Sequence, residues 1–352
     1  MLACVAMLLP MSRAMAQAEL PATIVEKSPL STEDMQAIDK FLAPRIPDLS
    51  STDPAVMKKS RDELLRPFRN PRISVATRQY ISDKLIAELN KNAGAKDLIA
   101  VNALRIAGDM ATSASSALLE EKLKDANDAV RYAAVSGLER TMEAVATRSP
   151  AITSDRVQGL VAKLGEVIVD PKSTTDVTDA GVRALKRAME IIRPGFEIRP
   201  LAVRTLASAI GKLCERVDAP VKVLVRAGDI IREALTNNNP NLQLQNESLT
   251  QAATMSGQLL SWCACQIKKG KMPVGQEALR VEAAQIVKVA ESSVLLCGTR
   301  VNKPWPTQNL GTDFEKATAL NDRAFFSNLL TLLKPLSDEP FNIKSDTFLQ
   351  CK

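Results

Sequence analysis

Apolar residues recur at helical spacing between residues 97 and 147, and this stretch organises the interpretation of the whole chain. The positions that repeat at intervals of three or four are Leu98, Val101, Leu104, Ala107, Val130, Ala134 and Leu138. Both intervals keep apolar side chains on one side of a helix. The pattern predicts three consecutive helices, with Asp97 and Asp128 as N-terminal caps and Gly108 just past the end of the first, where a positive φ favours glycine.

Similar apolar stripes continue through the rest of the chain, divided by proline, asparagine and glycine. Pro67 and Pro71 are expected to end one of the early helices. No segment shows the convincing apolar–polar alternation of a half-buried strand. The sequence therefore predicts an all-α protein of about a dozen helices, the last of them between about residues 313 and 333.

The stretch resembles HEAT and HEAT-like repeats. The motif comprises Leu123-Lys124-Asp125, Val130-Arg131, Ala134 and Leu138, and in the preceding repeat Ala103-Leu104 and Gly108-Asp109. The resemblance implies a helix-pair solenoid, in which Arg131 ties one repeat to the next through a carboxylate, Asp125 or Asp128. Leu104 and Leu138 lie 34 residues apart, fewer than the roughly 40–47 of most HEAT and armadillo repeats. Val-Arg pairs at 182–183, 203–204 and 225–226 echo the motif at irregular spacing.

The N-terminus resembles a secretory signal peptide, because an apolar run at residues 2–9 precedes small residues at 14–18 that suit cleavage. Its basic n-region is absent, so a disordered N-terminus or a misplaced start codon is the alternative. We expect a periplasmic or secreted protein without a transmembrane helix, since no apolar run approaches the roughly 20 residues that span a bilayer. The expected segments are signal peptide (1–18), linker (19–30), HEAT-like solenoid (31–298), irregular Pro/Trp loop (299–312), and C-terminal helix with extended tail (313–352).

The composition removes most catalytic chemistry. The 352-residue chain has no histidine, which excludes Ser-His-Asp and Cys-His catalysis and histidine-ligated zinc. It also lacks a Walker P-loop motif. Aromatic residues make up only 3%, which fits helices packed through aliphatic side chains. We therefore predict no enzyme activity, no cofactor and no metal site.

The cysteines offer a structural role. Cleavage after the signal peptide leaves five of them, Cys214, Cys263, Cys265, Cys297 and Cys351. Cys263 and Cys297 fall on the apolar stripes of neighbouring predicted helices. Either they are small core residues, or one of Cys263 and Cys265 forms a disulfide with Cys297 or Cys351 in an oxidising compartment. Cys214 is expected to be free and buried.

Two further features are candidate contacts for a binding partner. Trp305 lies between two prolines and is either a lid over the end of the stack or an exposed contact for a partner, since tryptophan is enriched at binding hot spots. Lys268, Lys269 and Lys271 either contact phosphate or an acidic polymer, or belong to a solvated turn.

These observations favour a non-enzymatic, exported scaffold that binds another protein through its solenoid surface. The net charge of +6 permits a second hypothesis, nucleic-acid binding through a basic face. A third is an enzyme of the HEAT-like lyase type related to bilin attachment. A basic stripe confined to one face would favour the second hypothesis, and a deep pocket with converging carboxylates would favour the third.

Overall fold

The computed structural model describes residues 19–239, 242–271, 277–318, 320–348 and 351. These residues form fifteen α-helices, and apart from isolated bridges they contain no β-structure. The helices are α1 (Ala22–Val25), α2 (Thr32–Leu42), α3 (Pro54–Arg69), α4 (Val75–Ala93), α5 (Asp97–Met110), α6 (Ser113–Lys122), α7 (Asp128–Thr147), α8 (Ser154–Val169), α9 (Thr175–Met189), α10 (Ile198–Cys214), α11 (Val221–Thr236), α12 (Asn246–Lys268), α13 (Glu277–Arg300), α14 (Leu310–Lys316) and α15 (Arg323–Leu333). The predicted all-α class is confirmed, and the signal peptide predicted at 1–18 lies outside the described residues.

Successive helices alternate between two layers. The odd layer comprises α3, α5, α7, α9, α11 and α13, and the even layer comprises α4, α6, α8, α10 and α12. Helices α7, α9 and α11 begin at Asp128, Thr175 and Val221, a spacing within the roughly 40–47 residues of HEAT and armadillo repeats. The predicted helix-pair solenoid is thus confirmed. The shorter spacing inferred from Leu104 and Leu138 describes only the step from α5 to α7.

Two helices of the odd layer approach each other closely at a pair of glycines. Gly108 lies inside α5, and a Cβ atom placed on it would come within 2.6 Å of the Gly137 carbonyl oxygen in α7. The prediction that Gly108 follows the end of the helix was therefore wrong. Ala111 takes the left-handed conformation there, with a φ of 48°. Glycine is required at 108 because two backbones meet, rather than because φ is positive.

Helix starts also differ from the prediction by one residue. Asn127, not Asp128, caps α7 and accepts a hydrogen bond from the Ala129 amide at 2.8 Å. Asp97 is the first residue of α5, and its carboxylate accepts a hydrogen bond from the Asn127 side chain at 2.7 Å. Asp97, which was predicted to cap α5, therefore links the start of α5 to the start of α7 instead. Leu98, expected on the buried stripe, is 55% exposed.

One proline does not end its helix. Pro67 lies buried within the last turn of α3, which continues to Arg69. The expectation that Pro67 ends the helix was wrong. Proline has no amide hydrogen, so Pro67 removes one backbone hydrogen bond. This loss falls in the last turn of the helix.

Both ends of the described chain pack against the solenoid. Residues 19–30, expected to be a linker, contain α1, whose Val25 is buried and whose Ile24 carbonyl accepts a hydrogen bond from Thr77. The helix expected at 313–333 is divided into α14 and α15. The tail expected to be extended includes short 3₁₀ turns and buries Phe341, Ile343 and Phe348. Apolar side chains in these segments explain the difference, because they cover the otherwise exposed end of the stack.

Candidate functional site

The structure separates the residues that the sequence proposed as partner contacts. Trp305 packs over Gly298, donates a hydrogen bond from Nε1 to the Leu332 carbonyl at 2.9 Å and lies edge-on to Phe341. Of its two alternatives, this arrangement is the lid over the end of the stack. Lys268 lies over the Phe326 ring, 5.8 Å from its centroid, and Lys269 and Lys271 are exposed.

The cysteines divide into one disulfide and three thiols. Cys265 in α12 is joined to Cys351 in the C-terminal tail, with Cα atoms 5.1 Å apart. Cys263 and Cys297 are fully buried free thiols, and Cys214 is half-buried. Burial raises the pKa of all three thiols, so they are poor nucleophiles and poor metal ligands at neutral pH. The disulfide fastens the tail to the even layer.

Arg131 links two repeats, but by a different route from the one expected. Its guanidinium donates to the carboxylate of Asp128 in its own helix and to the Lys172 carbonyl, 2.7 Å away in the turn before α9. Asp125 instead accepts from the Asn127 amide. The inter-repeat link therefore ends on a carbonyl. The other motif residues, Val130, Ala134 and Leu138, are core side chains of α7.

The exposed face of the odd layer carries a ladder of ion pairs from α7 to α11. Arg183 on α9 donates to Glu139 on α7 at 3.2 Å and to Asp179 at 2.6 Å. Asp179 also accepts from Arg226 on α11 at 2.6 Å. Burial lowers the pKa of Arg183, but the adjacent Glu139, Tyr132 and Asp179 outweigh it and raise the pKa overall. Two of these arginines belong to the Val-Arg pairs noted in the sequence.

Open clefts follow this ladder. The first, about 460 Å³, lies between α7, α9 and α11 and includes Arg183, Lys186 and Glu233 in its lining. A smaller cleft of about 180 Å³ shares Lys186 and Glu233 with it and reaches Ile192. A third of about 890 Å³ begins at Ile192 and extends to Ser248. The first two clefts share lining residues and form one groove of mixed polar and apolar character, which we call the odd-face groove. The third cleft continues from it around the loop after α9 to the even-layer helices α10 and α12.

A second group of arginines lies further toward the N-terminus of the odd layer. Arg61 on α3, Arg105 on α5 and Arg140 on α7 come from three successive helices of that layer. Arg61 donates to Asp62 and Asn102, and Arg140 pairs with the buried Asp109 at 3.4 Å. Sequence analysis missed these residues because none stands out from the other arginines of the chain.

The acidic and thiol side chains of the described residues are dispersed or paired. Within them, no three cysteine, aspartate or glutamate side chains are placed to hold a metal ion. The buried carboxylates Asp109 and Asp179 each lie against arginine side chains, and Glu291 accepts from the Leu310 amide at 3.2 Å. None of the described helices combines the length and apolar character needed to cross a bilayer.

No family model and no curated protein matches the chain. Similar solved structures include a computationally designed armadillo repeat protein for modular peptide recognition, with 14% identity over 70% of this chain and 99% of that one and a TM-score of 0.37. A second designed armadillo repeat protein has 15% identity over 71% and 99% of the two chains, with a TM-score of 0.36. An engineered protein has 16% identity over 88% and 82%, with a TM-score of 0.33.

At these identities and TM-scores no residue or activity is transferred to this protein. The arrangement of its own helices is the better guide. Two layers of alternating helices bury one continuous apolar core, and successive odd helices are joined side by side by polar links. The chain folds as an all-α helix-pair solenoid.

Proposed function

We propose that this protein is a non-enzymatic, exported scaffold that binds another polypeptide along the exposed face of the odd layer. The observation that supports this most is the odd-face groove, which crosses α7, α9 and α11 and remains open to solvent. A long open groove with charges of both signs can contact an extended polypeptide along its length. Small molecules are instead usually held in enclosed pockets.

The charge of the odd-face groove does not favour the nucleic-acid hypothesis. Arg183, Arg226 and Lys186 each pair with a carboxylate of a neighbouring helix, so the positive charges there are already neutralised. Binding to a phosphate backbone requires an excess of cations that release counterions. The lyase hypothesis would need converging carboxylates in a deep pocket. Around the odd-face groove, Glu139 and Glu233 line an open cleft and Asp179 pairs with arginines.

Site-specific photo-crosslinking in cells tests the scaffold proposal. A photoreactive amino acid at Lys222 or Glu233, on the odd face, should form adducts with a polypeptide. The same amino acid at Gly159 or Ala162, exposed on α8 in the even layer, should form far fewer. Equal adducts at all four positions, or none at any, would contradict binding through the odd face.

The proposal of export is supported by the disulfide between Cys265 and Cys351, because such bonds persist mainly in oxidising compartments. In fractionated cells, we expect the envelope or medium to contain a chain that begins near Gln17 or Glu19. Its mass should rise by two hydrogens on reduction. An uncleaved, fully reduced chain recovered from the cytosol would contradict export.

Loss of the disulfide should destabilise the exported protein. Cys351→Ser should lower the free energy of unfolding by about 2–4 kcal/mol, because the crosslink closes a long loop of 86 residues in the unfolded chain. Urea denaturation without reductant measures the change. Addition of reductant should destabilise the wild type to the level of the variant and leave the variant unaffected. A wild type insensitive to reductant would show that the crosslink is absent in solution.

A further inference from the structure

Arg105 is a charged residue that has no ion-pair partner among the described residues. It lies half-buried on α5, and its Nε is buried with no hydrogen-bond partner. No ion pair joins its guanidinium to any residue that the structure describes. The arginines of the ladder differ in this respect, since Arg183 and Arg226 both bind Asp179.

The surroundings of Arg105 carry an excess of positive charge. Burial lowers its pKa, and the like charges of Arg140 and Arg61 lower it further, against the smaller opposing effects of Asp62 and Asp109. Asp62 is already bound by Arg61 at 2.8 Å. Asp109 lies 3.4 Å from Arg140 and is also within 3.7 Å of Arg148. The carboxylates near Arg105 are therefore engaged by other arginines.

This arrangement disfavours the folded state unless an anion binds to the guanidinium of Arg105. An unpaired buried N–H and adjacent like charges each oppose folding. A carboxylate would accept parallel hydrogen bonds from the planar guanidinium and reduce the repulsion among the three arginines. The position of Arg105 on the exposed stripe of α5 makes the guanidinium accessible from the odd face.

An apolar contact lies on the same stripe. Leu98, which is 55% exposed, precedes Arg105 by two helical turns, and Val101 lies half-buried between them. Seven residues of helix extend about 10 Å. An extended peptide covers that distance in about three residues. The site therefore suits a peptide in which an apolar side chain and an acidic side chain are about three residues apart.

We propose that Arg105, together with Arg61 and Arg140, binds a carboxylate of an acidic segment in the partner polypeptide, with Leu98 contacting an apolar side chain of the same segment. This inference rests on the proposed scaffold function and names the chemical class of the partner. The charge complementarity of the three arginines selects an acidic segment over a basic one.

Fluorescence anisotropy with synthetic peptides tests the site. The probe is a fluorescein-labelled peptide with a leucine three residues before two glutamates, and the control peptide carries glutamines in their place. The full-length protein should bind the glutamate peptide about tenfold more tightly than the glutamine peptide. Arg105→Gln should weaken binding of the glutamate peptide about tenfold. Arg232→Gln, at an exposed arginine paired within α11, should leave it unchanged.

Thermal unfolding separates a binding role from a structural one. Because Arg105 has no ion-pair partner among the residues that the structure describes, Arg105→Gln should unfold at the same temperature as the wild type or at a higher one. A structural arginine would instead lower the unfolding temperature when replaced. A lowered temperature together with unchanged peptide affinity would overturn the proposal.

Other outcomes also overturn it. Equal affinity for the two peptides would show that the site does not recognise the carboxylate. Binding of inorganic phosphate without binding of the glutamate peptide would assign the arginines to a different anion. Repeating the Glu233 photo-crosslinking in the Arg105→Gln variant distinguishes this failure from failure of the scaffold. Persistent crosslinks with no dependence of peptide affinity on Arg105 would reject the acidic site alone, whereas absent crosslinks in the wild type would reject the scaffold.

Discussion

Replacing Arg78 with alanine should lower the free energy of unfolding by about 3–5 kcal/mol. Arg78 on α4 is fully buried. Its Nε donates to the Ser149 carbonyl at 2.8 Å, and its Nη1 donates to the carbonyls of Asp109 and Met110 at 2.9 and 2.7 Å. The last two carbonyls belong to the final turn of α5, where no helical amide remains to bind them.

The loss should be large because one side chain satisfies three carbonyls from two different segments, two of them in buried hydrogen bonds. Burial lowers the pKa of Arg78 to about 10, so the guanidinium stays protonated at neutral pH. Alanine would leave the three carbonyls unsatisfied and open a cavity beside Phe68, whose ring lies 5.6 Å from the guanidinium carbon. Urea denaturation followed by circular dichroism measures the effect.

Two variants control this prediction. Arg78→Lys should recover little stability, because an ammonium group on a flexible stem lacks the planar fork that reaches both segments. Arg232→Ala, at an exposed arginine paired with Asp229, should change stability by about 0.5 kcal/mol or less. If Arg78→Ala were as mild as Arg232→Ala, the three carbonyls would have other partners in solution.

Gly108→Ala should destabilise the protein by about 2–3 kcal/mol, against the usual effect of this substitution in a helix. The added Cβ would lie 2.6 Å from the Gly137 carbonyl oxygen and 2.7 Å from the Gly137 Cα atom. Both are backbone atoms of α7, which no side-chain rotation can move. The helices would have to separate, and the hydrogen bond from the Thr141 hydroxyl to the Gly108 carbonyl, now 3.1 Å, would lengthen.

Gly159→Ala is the matched control. Gly159 lies on the exposed side of α8, and a Cβ placed there meets no atom within 4 Å. Because alanine loses less backbone entropy than glycine in a helix, this variant should be stabilised by about 0.5–1 kcal/mol. The two substitutions should therefore shift the thermal unfolding midpoint in opposite directions. Similar shifts of the same sign would contradict the close contact between α5 and α7.

The helical repeat architecture could be predicted from the sequence because an apolar stripe is a local property. Residues three or four apart lie on one side of a helix whatever surrounds it, and such stripes recur along most of the chain. Local chemistry also sets the start of α2, where the side chains of Ser31 and Asp34 each accept a hydrogen bond from the other's backbone amide. The absence of histidine and the scarcity of aromatic residues could likewise be read from the sequence alone.

Other predictions failed where local and tertiary preferences compete. Gly108 suits a helix end by its local preference, yet the approach of Gly137 places it inside α5. A proline usually ends a helix, yet α3 continues for two residues beyond the buried Pro67. The tail after residue 335 has no helical period, but its aromatic side chains cover the end of the core. In each case contacts between distant segments outweigh a local preference of about 1–3 kcal/mol.

The sequence by itself determined that this protein is an all-α repeat, because helical periodicity and composition are properties of neighbouring residues. Only the tertiary structure decided the roles of its arginines. Arg78, Arg105 and Arg183 carry the same side chain, yet one is buried against carbonyls, one has no ion-pair partner among the described residues and one binds two carboxylates. Charge interactions depend on distance and burial, and helix packing sets both between residues far apart in the chain.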